Sequence, residues 1–211
     1  VCLGFSNGGQ VLVAQALGAG KKKELNSIIG TLFTLLACIS LFFTIAIFIA
    51  KDFILNVMNI PEVSYKMSKD YMLICGGGLI FTAGYNMIAA VLRGMGDSKR
   101  PFLFIMIASV INLILDLIFI GVFDWGVAGA AWATIIGQAV SFLFSLYFLF
   151  RNKESFGFDF KLSSLIPSKK YTGMMFSLGT PMAIQSGCIN LSMLFVNSLI
   201  NDIDVVASAT F

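Results

Sequence analysis

The sequence predicts an all-α protein, a polytopic transmembrane helical bundle, and three observations carry that prediction. Across 211 residues, 58% are hydrophobic and 12% charged, with 21 Phe and a mean hydropathy of +0.91. Several uncharged runs reach about 18 residues or more, the length at which an apolar stretch can cross a bilayer as a helix. The charged residues collect between those runs, with a single exception at Asp116.

Residues 1–18 form an uncharged helix punctuated by Asn7, Gln10 and Gln15. Gly18 and Gly20 close it before the charged turn Lys21, Lys22, Lys23, Glu24. Residues 28–50 are the first complete span, and a polar connection over 51–70 follows, with Pro61-Glu62 as a helix start. Residues 71–92 form the next span, softened by Gly76, Gly77, Gly78 and Gly84. In the connection over 93–100, Asp97 or Ser98 can cap the helix that Pro101 opens. That helix ends near Gly121, and a tight turn at Asp124-Trp125-Gly126 sends the chain back through 127–150.

The start of the returning helix is small: Gly126, Ala128, Gly129, Ala130, Ala131, Ala133. Small residues let helix backbones approach closely, so helix packing is the plain reading of this stretch. Residues 151–170 are the longest hydrophilic connection. They hold Phe156, Phe158, Phe160, Leu162, Leu165 and Ile166 among charges, which suits the membrane interface. Residues 174–200 are expected to span again, broken near Gly179-Thr180-Pro181, and Asp202 and Asp204 precede a last apolar fragment. The chain does not begin with Met and stops soon after that fragment starts, which reads as an internal piece of a longer protein.

Orientation follows from the basic residues. One set of connections carries Lys21, Lys22, Lys23, Arg93, Lys99, Arg100, Arg151, Lys153, Lys161, Lys169 and Lys170. The alternate set carries only Lys51, Lys66 and Lys69, so the first set is expected on the cytoplasmic side. Asp116 then falls in the outer half of the membrane. Basic residues confined to connections set topology and do not suggest nucleic-acid binding. Cys2, Cys38, Cys75 and Cys188 are scattered in apolar runs without metal-ligand spacing and read as small buried hydrophobes.

The candidate site starts from Asp116, because a carboxylate in hydrocarbon is costly and is by default functional. Asn112 lies one helical turn before it, so both project from one face. Thr134 and Gln138 are one turn apart on the next helix. Asp116 lies about eight residues before the turn centre and Thr134 about nine after it, which is about 12–14 Å along each helix. A carboxylate, an amide oxygen and a hydroxyl at one depth make an oxygen cage for a hard cation such as Na+. Desolvation also favours the protonated form of a carboxylic acid, so the same position suits a proton carrier. Hydrogen bonding to a neighbouring helix is the structural alternative for Asp116. Catalysis is disfavoured: the chain has no His, and the spans supply one carboxylate where an intramembrane aspartyl enzyme needs two. A channel lacks its filter motif and rings of like charge.

These stretches resemble the multidrug and toxic compound extrusion (MATE) family. Val91 to Phe102 (VLRGMGDSKRPF) resembles the loop after that family's fourth helix, continued by IASVINLILDLIFIG and by GVAGAAWATIIGQ, which ends at Gln138. Upstream, VLVAQALGAGKKKEL is similar to its second helix and following loop. Downstream, SLGTPMAIQSG is similar to its seventh helix.

The resemblance implies two six-helix lobes around a central cavity, and a secondary active antiporter exporting drugs or organic cations for Na+ or H+. It needs no other cofactor and is expected in the plasma or inner membrane, as a monomer when full-length. Residues 1–150 would be helices two to six of the first lobe, 151–170 the inter-lobe linker, and 171–211 helix seven and the start of helix eight. DinF-like members place an Asn and an Asp one turn apart on helix five, a Thr on helix six and an Asp on helix one. Asn112, Asp116 and Thr134 match the first three, Gln138 is a possible accessory, and the helix-one Asp has no counterpart in this chain. NorM-like members carry an acidic residue partway along helix seven, where residues 174–200 have only Gln185 and Asn190 as comparable polar groups. That places coupling in the first lobe. The alternatives are a lipid-linked oligosaccharide flippase of the same superfamily, or a membrane enzyme or scaffold.

Overall fold

The computed structural model describes residues 2–57, 62–152 and 165–203. Expectations for Pro61, for the aromatic part of the connection at Phe156, Phe158, Phe160 and Leu162, and for the last apolar fragment lie outside the described residues. Among those described, the chain forms six α-helices: α1 (Cys2–Gly18), α2 (Lys22–Val57), α3 (Glu62–Gly94), α4 (Lys99–Gly121), α5 (Gly126–Arg151) and α6 (Lys169–Ile203).

Four of them, α2 to α5, are long and apolar enough to cross a membrane. At about 1.5 Å per residue, the 23 residues of α4 span roughly 34 Å, slightly more than a bilayer's hydrocarbon core. α6 is 35 residues long and carries Gln185, Ser186, Asn190 and Ser192 among its apolar residues.

α3 is the axle of the bundle, packed against α1, α2 and α5, while α4 leans on α5 and α6 on α1. The main apolar core lies where α1, α2, α3 and α6 meet. It is built from fully buried Val13, Ile29, Leu32, Ile88, Val91 and Met175. α4 contributes little to that core, and its Leu113, Leu117 and Ile120 are exposed, as apolar side chains facing lipid must be.

Local chemistry ends the helices where the sequence suggests. At the end of α3, Gly96 takes φ +88° and the Asp97 N–H donates to the Leu92 carbonyl at 2.9 Å, which closes the helix in the manner of a glycine cap. Of the two candidate caps for α4, Asp97 supplies the bond: its carboxylate accepts the Arg100 N–H at 3.2 Å and pairs with the Arg100 guanidinium at 2.8 Å. Ser98 makes no side-chain cap. The turn into α5 needs positive φ at both Asp124 and Gly126, each +54°, and is covered by the stacked rings of Phe119 and Trp125.

Two expectations need correction. α6 runs unbroken through Gly179-Thr180-Pro181, with Pro181 inside the helix. Membrane helices tolerate an internal proline because neighbouring groups re-satisfy the freed carbonyl. The cysteines are not buried: Cys38 and Cys188 are exposed and Cys2 and Cys75 half-buried, all with free thiols. Next to lipid, an exposed apolar thiol carries no penalty, so the soluble-protein expectation of burial fails.

The small-residue stretch of α5 does pack, and the stripe is longer than its start suggests. Gly129, Ala133, Gly137, Ser141 and Ser145 recur every four residues and are all buried. Gly129 lies against Phe119 and Gly137 against Ala108 and Asn112, so this stripe is the seam with α4. The other face of α5 fits large side chains onto glycines of α3, Ile135 over Gly78 and Phe142 over Gly84.

Candidate functional site

Helices α3, α4 and α5 line a half-open cavity of about 270 Å³ whose largely apolar wall carries several polar side chains. Asn112 and Ser109 reach it from α4, Thr134, Gln138 and Ser141 from α5, and Thr82, Tyr85 and Asn86 from α3. The volume exceeds what a bare cation fills and has room for several waters, each occupying roughly 30 Å³ in the liquid.

Three of the four sequence-predicted residues, Asn112, Thr134 and Gln138, share this cavity. Asp116 does not line it; it sits one turn further along α4. The seam sets the register between the helices: Gly137 abuts Asn112 and Gly129 abuts Phe119. By that register Thr134 faces the stretch between Asn112 and Asp116, so the depth match is centred between the two and not on Asp116 itself.

The hydrogen bonding separates the polar groups into satisfied and unsatisfied. Thr134 donates its hydroxyl proton to the Ala130 carbonyl at 2.9 Å, which leaves its lone pairs available. Gln138 is held from α3, its Oε1 accepting the Thr82 hydroxyl. Asn86 Nδ2 donates to the Thr82 carbonyl at 2.9 Å, and Tyr85 donates to the Pro101 carbonyl at 2.8 Å, tying α3 to the first turn of α4. By contrast Asn112 Nδ2, Ser141 Oγ and Asp116 Oδ1 are buried with no hydrogen-bond partner. Ser6 Oγ on α1 shares that state, and a buried polar atom left unpaired costs about 1–3 kcal/mol, more when charged. Asp116 also lies within electrostatic reach of the Tyr71 phenol on α3.

The α3 wall, Thr82, Tyr85 and Asn86, escaped the sequence reasoning, as did Ser109 and Ser141. The signal was present as spacing. Thr82 and Asn86 are one turn apart, Ser109 precedes Asn112 by three, and Ser141 follows Gln138 by three. Each helix thus carries a short polar stripe at helical period. No cluster of three or more His, Cys, Asp or Glu suited to a metal occurs among the described residues.

Long apolar helices around a cavity with polar side chains, beside a half-buried carboxylate, define a multi-pass helical membrane protein. The family model MatE matches residues 1–118. The probable multidrug resistance protein YpnP of Bacillus subtilis is 33% identical over 199 residues, covering 94% of this chain and 44% of the relative. YoeA of the same organism, also described as a probable multidrug resistance protein, is 28% identical over 214 residues, covering 99% and 46%. The chain also superimposes on an inward-facing multidrug resistance MATE transporter with a TM-score of 0.86 at 26% identity, covering 94% of this chain and 45% of that one. The match to an outward-facing structure has the same TM-score and identity, with coverages of 94% and 44%. The chain belongs to the MATE family, a family of transporters and not of enzymes. It spans somewhat less than half the length of these relatives.

Proposed function

We propose that the full-length protein is a secondary active antiporter of the cell membrane, exporting drug-like or organic cationic compounds in exchange for Na+ or H+. Asn112, Asp116 and Thr134 form the coupling site of its first lobe. One observation carries this reading: Asn112 Nδ2 and Asp116 Oδ1 are buried one turn apart without partners, at the edge of a cavity that Thr134 lines. Cation or proton binding neutralises Asp116 and completes its coordination, which favours one packing of α4 on α5 over another. The lobes then rock between states, as a ligand with different affinity for the two requires. Gln138 contributes less than its position suggests, because Thr82 already engages its oxygen.

The test replaces Asp116→Asn in the full-length protein reconstituted in vesicles. Efflux of a fluorescent organic cation is driven by a sodium gradient and, separately, by a proton gradient. The coupled flux is expected to fall to that of protein-free vesicles under whichever gradient drives the parent. Efflux at the parent rate would overturn the coupling role. A lipid-linked oligosaccharide flippase of the same superfamily is the second reading, and basic side chains lining the central cavity of the full-length protein, suited to a pyrophosphate, would favour it.

A further inference from the structure

A polar face on the cytoplasmic half of α2 has no role in the cavity. Glu24, Thr31 and Thr34 lie seven and then three residues apart, so they fall on one side of the helix. All three grip the segment that leads into α6. The Thr31 hydroxyl, fully buried, donates to the Ser27 carbonyl at 2.6 Å and accepts the Ser168 N–H at 3.1 Å. The Thr34 hydroxyl donates to the Leu165 carbonyl. The Glu24 carboxylate lies beside the Tyr171 hydroxyl and pairs with Lys170 at 3.9 Å.

Apolar packing continues the grip into α6. Tyr171 and Met175 are buried in the core with Ile28, Ile29 and Leu32. Further along, Phe5 of α1 meets Phe176 edge-on at 5.1 Å. A Cβ on Gly8 would lie 3.1 Å from the Gly179 backbone nitrogen, and one on Gly4 would lie 2.7 Å from the Ala183 Cα. Contacts this close between backbones leave no slack for one helix to tilt against the other.

We infer that residues 165–183 are a fixed strap, clamped to α1 and α2, and that they travel with α1 to α5 as one body. The hydrophilic connection is then no hinge at its α6 end, and the start of the seventh helix belongs mechanically to the first lobe. The equal likeness of this chain to inward- and outward-facing relatives agrees with a unit that keeps its internal arrangement while the lobes move. The inference rests on the transport reading only in supposing that two bodies move.

The experiment joins strap to α2 by a disulfide in the full-length protein, with Thr31→Cys and Ser168→Cys introduced after the native cysteines are replaced by Ala. The bond from the Ser168 N–H to Thr31 Oγ1 at 3.1 Å puts these two residues in direct contact. Efflux of a fluorescent organic cation should continue at most of the reduced rate after oxidation. Arrest on oxidation with recovery on reduction would overturn the strap. A cysteine-replaced parent that transports nothing counts against the transport reading instead. Hydrogen exchange, which needs no transport, then decides the strap. In the native sequence, amides of residues 165–172 should exchange as slowly as those of α2, both with and without sodium. Thr31→Ala should speed that exchange. Rapid exchange in either condition would show that the clamp opens and would overturn it.

Discussion

Gly137→Ala offers the sharpest check on how the α4–α5 seam serves the site. An added Cβ would lie 3.1 Å from the Ala108 carbonyl oxygen and 3.2 Å from Asn112 Cβ. Ordinary contacts begin near 3.4 Å, and neither neighbour is the free end of a flexible side chain. Relief therefore requires α4 to move off α5 by a few tenths of an ångström, at the level of Asn112. Overpacking of this kind costs about 1–3 kcal/mol, and a single methyl falls near the lower end. If about 1.4 kcal/mol of that is felt in cation binding, apparent affinity drops about tenfold. The assay is the cation concentration giving half-maximal efflux in reconstituted full-length protein, alongside thermal unfolding. Gly129→Ala is the companion: it is equally crowded, with Phe119 Cβ at 3.0 Å, but lies eight residues or about 12 Å away along α5. Because Phe119 stands three residues from Asp116 on α4, Gly129→Ala should lower both stability and cation affinity, as Gly137→Ala does. Gly77→Ala, with nothing within 4 Å, should be neutral in both. If Gly137→Ala behaves like Gly77→Ala, the seam does not position Asn112 and the reasoning fails.

Gly94→Ala should be more damaging to the fold, since its Cβ would sit 2.7 Å from the Gln10 carbonyl and 2.9 Å from Val13 Cβ. A loss of about 2–3 kcal/mol is expected, seen as a lower thermal midpoint, with Gly18→Ala, which has no neighbour within 4 Å, as the unaffected control. Thr82→Val removes the bond to Gln138 at nearly constant volume and should cost about 0.5–1.5 kcal/mol in unfolding, the usual worth of an interhelical bond in a membrane. An unchanged midpoint would mean that Gln138 finds another donor. Topology is checked with an impermeant thiol reagent after the native cysteines are replaced. Phe123→Cys, exposed at the α4–α5 turn, should label from outside intact cells, and Ser98→Cys only after permeabilisation. The reverse pattern would invert the orientation and put Asp116 in the inner half.

The helices were legible along the chain because each is a run of apolar residues, and hydrocarbon demands helix wherever such a run is long enough. Glycine and Asp97 at the ends of α3 and α4 were legible too, since caps and turns depend on a few adjacent residues. Asn112 with Asp116, and Thr134 with Gln138, could be paired because one helical turn is a sequence distance. The helix expected to break at Pro181 shows the limit of the same reasoning, for whether a proline interrupts a helix depends on what surrounds it. The cysteines failed for a related reason: in a membrane protein the outside is also apolar, so hydrophobicity does not distinguish core from lipid face.

Class, span order and the polar pairs within each helix are properties of neighbours in sequence, and they needed no coordinates. The tertiary structure decided everything that joins one helix to another. It placed Asn112, and not Asp116, in the cavity with Thr134, because glycines at 129 and 137 set the register of α4 on α5. It added the α3 wall of Thr82, Tyr85 and Asn86, and it engaged Gln138 before any ligand could. It also left Asn112 Nδ2 and Asp116 Oδ1 buried and unpaired. The physical reason is common to all of these. Without a hydrophobic force between helices in lipid, close backbone contact at small residues fixes how they meet, and that contact exists only between segments distant in the chain.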